Sequence, residues 1–389
     1  SGGMKILTFL HSFEPGGVER VALRLAACWQ KQGLDAPVFM GRADGAGRIA
    51  EAKRLRLIYP AKPAISPALI ETIWMIATLP KVIRREQPDV LFCAGNSYSV
   101  VAVAMKLLLG NDCPPIVAKI SNDLERRDLP LPARWLYHIW LRIQAMFLDQ
   151  VVAMEGSMKP EIARCMGISD DRTMVIPDPA ISKADIHRLA RLRKNNVKDV
   201  AGRSFVAVGR LTRQKNIAMM LRAFAKGSVS GDTLTIVGDG SLRKSLEAQT
   251  RSLGLAESVH FAGHVDDIAP WLAKSDFYLM SSHYEGVPAV IIEALAAGLP
   301  IITTNCSNAI STMLAGGRLG RIVAAGDEQE MARAIKFAAP DFHLSAGRID
   351  MAGQFTLENS GRLYAGLFAA LADRRRKKQV FLQIRSLKP

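Results

Sequence analysis

The sequence contains little cysteine and no long uninterrupted hydrophobic run. Its five cysteines are scattered along 389 residues, odd in number and without the spacing of metal ligands. We therefore expect reduced thiols in a cytoplasmic protein, with neither disulfides nor structural zinc. The longest apolar stretches, 69–79 and 100–109, are interrupted by Glu71 and Lys106 and are too short to cross a bilayer. Because no secretory signal is visible either, we expect a soluble or peripheral protein.

Several common ligand-binding motifs are also missing. No Asp-x-Asp triplet, the usual carboxylate pair for a metal-bound diphosphate, occurs in the chain. A complete G-x-G-x-x-G pattern is absent, which counts against a nicotinamide or flavin cofactor. The net charge of +15 favours an anionic partner or reflects a basic solvated surface. Because no helix-turn-helix, RNA-binding or zinc-finger signature accompanies it, we expect phosphorylated small molecules or an anionic membrane surface, and no nucleic acid.

The chain is long and apolar enough for two buried cores. Short β-rich runs alternate with helical stretches along both halves, which predicts an α/β protein with two Rossmann-like parallel-sheet domains facing a central cleft. The pattern breaks at Pro177, Asp178 and Pro179, before a polar basic stretch. We expect an N-terminal domain (4–180), a linker (181–203), a C-terminal domain (204–360) and a terminal helix with a basic tail (361–389).

The most specific motif is Glu285-Gly286-Val287-Pro288, which follows an apolar strand and leads into a helix that carries Glu293. Pro288 suits the first helical turn, where free N–H groups attract phosphate. The two glutamates are separated by about 12 Å of helix axis at about 1.5 Å per residue. That spacing fits neither carboxylate pair of a glycoside hydrolase. We expect them to bind opposite ends of an extended ligand, the alternative being a helix cap and a salt-bridged glutamate.

A second motif, Val208-Gly209-Arg210-Leu211, ends the first predicted strand of the C-terminal domain, with Lys215 and Asn216 close behind. An arginine and a lysine at a strand exit can neutralise a diphosphate without a metal, although such a pair is also common in purely structural settings.

Glycine-rich turns follow two further strands. Gly16 and Gly17 lie between the first strand and the first helix, where they would let backbone N–H groups approach a phosphate or sugar. Gly238 and Gly240 form a similar strand exit, which is equally typical of an ordinary turn. Neither turn by itself indicates a ligand.

Together these motifs resemble the retaining nucleotide-sugar glycosyltransferases of family 4, which have the GT-B architecture. The resemblance implies that Arg210 and Lys215 bind the donor pyrophosphate, that Glu285 contacts the transferred sugar and that Glu293 binds the ribose. It also implies that the terminal helix returns to the first domain. The further donor-binding residues that we expect are Gly16, Gly17, Asn122, Gly209, Gly238, Gly240, Gly263, His264, Gly286, Val287 and Pro288.

The sequence departs from the family at two places. Many relatives carry a histidine shortly after the strand that corresponds to 116–120, whereas this chain has Ser121, Asn122 and Asp123. A histidine base is therefore unsupported there, and Asn122 or Asp123 is expected to contact donor or acceptor instead. Asp178 replaces an asparagine that is frequent in relatives, a change to which we attach no function.

The expected reaction is retaining, metal-independent transfer of a sugar from a nucleotide diphosphate-sugar, with a UDP-sugar favoured over a GDP-sugar. No cofactor is expected, and the acceptor would be a saccharide or a lipid-linked molecule in cell-surface polysaccharide or lipopolysaccharide synthesis. The alternatives are a nucleotide-sugar epimerase or phosphorylase of the same architecture. A non-catalytic nucleotide-sugar-binding protein is a third possibility.

The acceptor side is expected near 133–147, where aromatic residues accompany arginines. Arg126, Arg127, Trp135 and Trp140 suit a membrane interface, and an ordinary core helix with a basic rim is the equal alternative. The tail run 374–378 adds five cations. We therefore expect a cytoplasmic protein, for which peripheral binding at the cytoplasmic face of an inner membrane is one hypothesis.

Overall fold

A computed structural model describes residues 3–11, 16–42, 53–60, 71–121, 123–196 and 201–386, with side chains as far as 382. The chain divides into two compact units. Unit 1 comprises Ser1–Pro179 together with Leu357–Pro389, and unit 2 comprises Ala180–Thr356. Each unit is a parallel sheet with helices, which confirms the predicted fold class of two parallel-sheet α/β domains.

The sheet of unit 1 has seven strands, all paired in parallel. They are β1 (Ile6–Leu10), β2 (Val38–Met40), β3 (Leu57–Ile58), β4 (Val90–Cys93), β5 (Ile116–Lys119), β6 (Gln150–Ala153) and β7 (Thr173–Val175). Their order in the sheet is β3-β2-β1-β4-β5-β6-β7. The direction of winding therefore reverses between β1 and β4. All five residues of β1 are buried, as expected for a strand covered by helices on both faces.

Five helices of unit 1 connect these strands. They are α1 (Gly17–Lys31), α2 (Glu71–Glu86), α3 (Ser99–Leu109), α4 (Leu131–Phe147) and α5 (Met158–Met166). Helix α1 buries Leu25, Cys28 and Trp29 among others, at the spacing of a helical face.

The sheet of unit 2 has six parallel strands. They are β8 (Ser204–Val208), β9 (Thr233–Val237), β10 (Val259–Gly263), β11 (Phe277–Met280), β12 (Ile301–Thr304) and β13 (Gly320–Val323). The order β10-β9-β8-β11-β12-β13 places the reversal between β8 and β11. The helices are α6 (Lys183–Asn195), α7 (Ile217–Gly227), α8 (Arg243–Ser252), α9 (Ala269–Ala273), α10 (Ala289–Ala296), α11 (Ala309–Met313), α12 (Glu328–Lys336) and α13 (Ser345–Gly353).

The C-terminal helix α14 (Leu357–Ser386) belongs to unit 1 and packs against α1. Trp29 meets Tyr364 and Phe368 edge to face, with ring centroids 5.9 and 5.0 Å apart. The Trp29 indole N–H also donates to the Gly361 carbonyl at 3.2 Å. A Cβ at Gly361 would lie 2.7 Å from the Cys28 sulfur, so the close approach of the two helices requires glycine there.

Two boundaries differ from the expected ones. Helix α6 occupies much of the expected linker 181–203 and belongs to unit 2. Ser182 and Asp185 form a capping box at its start, and Leu189 is buried. Because α6 buries so few apolar residues, its sequence resembles a polar linker. The C-terminal helix begins at Leu357, ahead of the expected start at residue 361.

Within the described ranges, each helix falls short of the length or the hydropathy that crossing a lipid bilayer requires.

Candidate functional site

The predicted motifs of unit 2 meet at the carboxyl edge of its sheet. Gly209 directly follows β8 and Ser281 directly follows β11, the two strands between which the winding reverses. In open parallel sheets, ligands bind beyond the carboxyl ends of the strands at such a reversal. The topology alone therefore selects this edge as the candidate site.

Glu285 lies at the centre of the edge. Its Oε1 accepts hydrogen bonds from the Ser282 hydroxyl, at 2.8 Å, and from the Lys215 ammonium. The Glu285 backbone N–H donates to the Cys306 carbonyl at 2.7 Å. The Glu285 and Lys215 side chains are only 11% and 19% exposed, so the ion pair is held in a fixed geometry at the rim of the core.

The chain around Lys215 is constrained by its neighbours. Asn216 adopts a left-handed conformation with φ of 49°, which turns the chain into α7. The Ser281 hydroxyl lies 2.9 Å from the carbonyl oxygens of both Lys215 and Asn216, within hydrogen-bonding distance of each. A Cβ at Gly209 would lie 3.3 Å from the Lys215 Cε, so the lysine side chain lies across the glycine. Two strand exits thus position the lysine against Glu285.

Gly238 and Gly240 serve backbone packing between strand exits. A Cβ at Gly238 would lie 1.9 Å from the Gly209 carbonyl oxygen, and one at Gly240 would lie 2.5 Å from the Leu211 carbonyl oxygen. The Gly238 N–H donates to the Gly263 carbonyl at 2.8 Å. Each glycine is therefore required by a neighbouring loop, whatever its relation to a ligand.

The remaining donor-side residues of unit 2 are more open. Arg210 is exposed, and no ion pair to it occurs among the described residues. Gly286 and His264 are exposed as well, and the His264 ring lies 3.4 Å from Asp266. Pro288 was predicted for the first helical turn, and it lies at the start of α10 as the cap residue directly before Ala289. The N-terminus of α10 still follows Glu285 by four residues in the sequence.

Glu293 on α10 lines a pocket of about 440 Å³ in unit 2, together with Asp185, Asp267 and Val208, the residue directly before Gly209. Burial, followed by the charges of Asp185 and Asp267, raises the pKa of the Glu293 carboxyl to about 7. The carboxyl therefore changes charge near neutral pH. Asp267 is itself paired with Arg188, whose guanidinium donates at 3.0 Å.

The carboxyl edge of unit 1 carries a second cluster. Gly16 caps α1, and a Cβ there would lie 2.2 Å from the Glu19 Oε2. The Tyr98 hydroxyl donates to the Glu19 Oε1 at 2.8 Å. Gly17, by contrast, has open space where its Cβ would be. Glu19 thus fills the space beneath the glycine turn, and Tyr98 holds it.

His11 follows β1 in the same cluster. Its ring stacks on Tyr98 with centroids 4.7 Å apart, and its Nδ1 lies 3.6 Å from a Glu71 oxygen. Glu71 also accepts a hydrogen bond from Arg42 at 3.0 Å. Burial lowers the pKa of His11 below its ordinary value, which favours a neutral ring.

The structure brings part of the predicted site together. In unit 2 it gathers Gly209, Lys215, Glu285 and the two glycines of the neighbouring exit, and Glu293 lines a pocket that reaches Val208, the residue before Gly209. In unit 1, Arg126 pairs with Asp128 and Arg127 pairs with Glu125, while Trp135 is exposed and Trp140 is half-buried. Asn122 lies outside the described residues.

Sequence reasoning missed several neighbours of these residues. In the sequence, Ser282 is only a polar residue after a predicted strand. Its hydrogen bond to Glu285 becomes apparent only in the folded turn. Asp185 and Arg188 were hidden because α6 resembles a linker. Tyr98 is distant in sequence from the glycine turn that it supports. Among the described residues, no cluster of three histidine, cysteine or carboxylate side chains could hold a metal ion.

Comparison with known families and proteins concerns the family and the fold. Residues 202–341 match the family model described as glycosyl transferases group 1, and residues 15–180 match that of glycosyltransferase family 4. The structure of Anabaena HepE in complex with UDP superimposes with a TM-score of 0.68 at 21% identity, covering 94% of this chain and 100% of HepE. This chain is thus a member of glycosyltransferase family 4 with the GT-B architecture, and the predicted resemblance is confirmed.

Two curated relatives share part of their sequence with this chain. The lipopolysaccharide core biosynthesis glycosyltransferase LpsE of Rhizobium meliloti is 32% identical over 42% of this chain. That match spans about half of LpsE, 49% of its length. A Campylobacter jejuni N-acetylgalactosaminyltransferase, named for an undecaprenol-linked acceptor, is 25% identical over 68% of each chain.

Proposed function

We propose that the protein transfers a sugar, with retention of anomeric configuration, from a nucleotide diphosphate-sugar to a saccharide or lipid-linked acceptor. The Lys215–Glu285 pair at the strand reversal of unit 2, beside the N-terminus of α10, is the observation that carries this proposal. Family membership supports it, as does the similarity to relatives named for lipopolysaccharide and lipid-linked saccharide synthesis. A UDP-sugar is the favoured donor, in keeping with UDP bound to the HepE structure.

Each charged residue has a defined task in this mechanism. Arg210, Lys215 and the N–H groups of α10 stabilise the charge that develops on the departing diphosphate. Glu285 binds the transferred sugar, and Glu293 accepts hydrogen bonds from the ribose. The acceptor hydroxyl attacks from the face that the diphosphate leaves, and a phosphate oxygen takes its proton. This route needs no second carboxylate as a nucleophile.

A donor panel and a chelator test this proposal. Thermal unfolding with UDP, GDP, ADP and their glucose conjugates identifies the base, because the bound nucleotide raises the apparent Tm by mass action. Transfer should continue in excess EDTA, since the two cations replace a metal at the leaving group. Loss of activity in EDTA that returns with Mg²⁺ or Mn²⁺ would contradict the metal-independent mechanism.

Incubation of the donor without acceptor separates the alternative reactions. A transferase shows only slow hydrolysis, whereas an epimerase interconverts two nucleotide sugars. A phosphorylase instead releases a sugar phosphate when inorganic phosphate is added. Formation of an epimer or a sugar phosphate would reject the transferase proposal.

An anionic membrane surface is the proposed site of the acceptor, and helix α4 is the surface that binds it. Four of its exposed apolar side chains, Leu131, Trp135, Ile139 and Ile143, recur at every fourth position. They therefore form one stripe along the helix. Near one end of the stripe, Arg127 is 79% exposed. Apolar insertion with flanking arginines is the chemistry of an interfacial helix on an anionic leaflet.

The basic tail is a weaker candidate for the same surface. Arg375 donates to the carbonyl oxygens of Pro88 and Asp112, which precede β4 and β5 at the amino edge of the sheet. Helix α4 instead begins after β5, at the carboxyl edge. Lys377 also pairs with Asp373. The two basic regions are thus separate, and each has ion pairs of its own.

Vesicle co-sedimentation distinguishes these two regions. Binding should require anionic lipid and fall as salt rises. It should be lost when Leu131, Trp135 and Ile143 are changed to serine, but change little when Arg374, Arg375, Arg376, Lys377 and Lys378 are changed to glutamine. A matched control changes the exposed Phe337 and Phe342 of unit 2 to serine. Undiminished binding by the α4 variant would reject this surface, and no binding at low salt would favour a soluble acceptor.

A further inference from the structure

A second charged pocket lies at the opposite edge of the unit 2 sheet. Its floor includes the first residues of three strands, Phe277, Ile301 and Gly320, and its volume is about 420 Å³. We call it the amino-edge pocket. Because Glu285 and Lys215 lie at the carboxyl edge of the same sheet, the proposed donor site does not account for this pocket.

Three exposed or rim arginines give the amino-edge pocket an excess of positive charge. Arg321 and Arg333 share one carboxylate, that of Glu330, at 3.2 and 2.7 Å. Arg318 donates to the Ala315 carbonyl at 3.3 Å and has no carboxylate within ion-pair distance among the described residues. The three guanidinium groups therefore face one carboxylate, and two positive charges remain uncompensated.

A fourth arginine, Arg348, stabilises the wall of the pocket and adds no net charge, because it is paired with Asp341. Arg348 is buried, with 1% of its side chain exposed. It donates to both oxygens of Asp341, at 2.6 and 2.7 Å, and to the Leu319 carbonyl at 2.8 Å. Since every one of these bonds fixes the position of a pocket-lining segment, the pocket is preformed rather than created by a ligand.

The lining also suggests the size and chemistry of the ligand. Phe337 at the end of α12 lines the pocket and is 72% exposed, so its ring offers an apolar face to a bound molecule. Guanidinium groups bind phosphate oxygens through planar pairs of N–H donors. A phosphate attached to a sugar or nucleoside would satisfy both the cations and the ring.

We propose that the amino-edge pocket binds a small phosphate ester, a sugar phosphate or a nucleoside monophosphate, at a site separate from the donor edge. The proposal does not depend on the transfer reaction. Binding is measured by titration calorimetry on the full chain, with inorganic phosphate, glucose 6-phosphate and AMP as probes. Arg210→Ala and Lys215→Ala are introduced together to reduce phosphate binding at the donor edge.

The decisive variant adds Arg318→Ala and Arg333→Ala to that background. Each lost charge-assisted bond weakens binding by about tenfold, so loss of both should raise the Kd for the ester by about a hundredfold. The matched control, Arg191→Ala with Arg251→Ala, removes the same charge from exposed positions on α6 and α8 and should leave Kd within about twofold.

Three outcomes would overturn the proposal. The first is no saturable binding of either ester at millimolar concentration. The second is an equal loss of affinity in the control variant, which would indicate only a long-range charge effect. The third is binding of inorganic phosphate as tight as that of both esters, which would indicate an unselective anion site. Circular dichroism and thermal unfolding of both variants verify that each retains the fold.

Discussion

Two lysine–carboxylate pairs, one in each unit, are alike in chemistry and differ in surroundings. In unit 1, Lys119 at the end of β5 contacts Asp178 at 2.6 Å, and only 3% of the lysine side chain is exposed. In unit 2, Lys215 contacts Glu285 at the rim of the sheet, with the exposed Arg210 shortly before the lysine in the sequence and α10 shortly after the glutamate. A buried ion pair mainly compensates a charge that burial would otherwise penalise. An ion pair at the rim of a sheet, close to other hydrogen-bond donors, can instead bind a ligand.

The difference shows that an ion pair alone does not identify a site. What distinguishes the pair in unit 2 is its place at the strand reversal, on the segments that carry the exposed Arg210 and lead into α10. The first expectation that follows is that changes at Glu285 alter activity, whereas changes at Asp178 alter stability.

The largest effect is expected for Glu285→Gln. Glutamine keeps the hydrogen-bonding shape but removes the charge that addresses the sugar, so the transfer rate should fall by about a thousandfold or more. UDP affinity, measured by calorimetry, should change by less than about threefold. Glu257→Gln, at an exposed position in the same unit, is the control and should behave like the parent. An equal loss of UDP binding would assign Glu285 to the nucleotide instead.

Asp178→Asn should produce the converse result. It leaves the buried Lys119 charge without its partner, so the free energy of unfolding of unit 1 should fall by about 3 kcal/mol. Urea denaturation measures this loss, and adding Lys119→Met should restore much of it. Asp170→Asn breaks the exposed pair with Lys159 and should cost less than about 1 kcal/mol. Equal losses of unfolding free energy in the two single variants would show that the buried Lys119–Asp178 pair contributes no more than an exposed pair.

Lys215→Ala should separate rate from stability within unit 2. Loss of one cation at the leaving group should lower the transfer rate by about a hundredfold. The Ser282 hydrogen bond to Glu285 remains, so the unfolding free energy should change by only about 1 kcal/mol. The surface variant Lys226→Ala tests for a general charge effect. A transfer rate within twofold of that of the parent would indicate that Lys215 has only a structural role.

The smallest effect concerns Glu293, whose pKa is raised from 4.5 to about 7 by burial and two nearby aspartates. The anionic carboxylate is the better acceptor for ribose hydroxyls, so UDP-glucose affinity should rise several-fold between pH 6 and 8. UDP-glucose is the suitable probe because its diphosphate has no titration in that range. Glu293→Gln should bind more weakly and with a flatter pH profile. The same profile in parent and variant would reject the assignment.

The same pKa has an opposite consequence for the stability of the free protein. A carboxyl whose pKa is higher in the folded state stabilises folding below its unfolded pKa, and this contribution is lost as pH rises through about 7. Between pH 5 and 8 the parent should therefore lose stability relative to Glu293→Gln. Urea denaturation over that range measures the difference, and parallel curves would indicate an ordinary pKa.

The sequence determined the fold class and the principal residues of the candidate site. Alternating β-rich and helical patterns sufficed for two parallel-sheet units, because period and turn residues act locally. The motif around Glu285 was recognisable because a glutamate, a glycine and a proline between a strand and a helix are unusual neighbours. Helix α6 escaped recognition because it is polar on most faces, and its few buried residues depend on packing within unit 2.

The tertiary structure decided which residues meet. Lys215 and Glu285 are 70 residues apart in sequence, and only the adjacency of β8 and β11 brings their atoms together. Lys119 at the end of β5 and Asp178 after β7 meet across the intervening strand β6, which gives Asp178 a role that its neighbours in sequence did not indicate. The amino-edge pocket likewise collects arginines from a loop, a strand and two helices. Strand order and burial set these distances and charges, and both are properties of the whole packed sheet rather than of any local pattern.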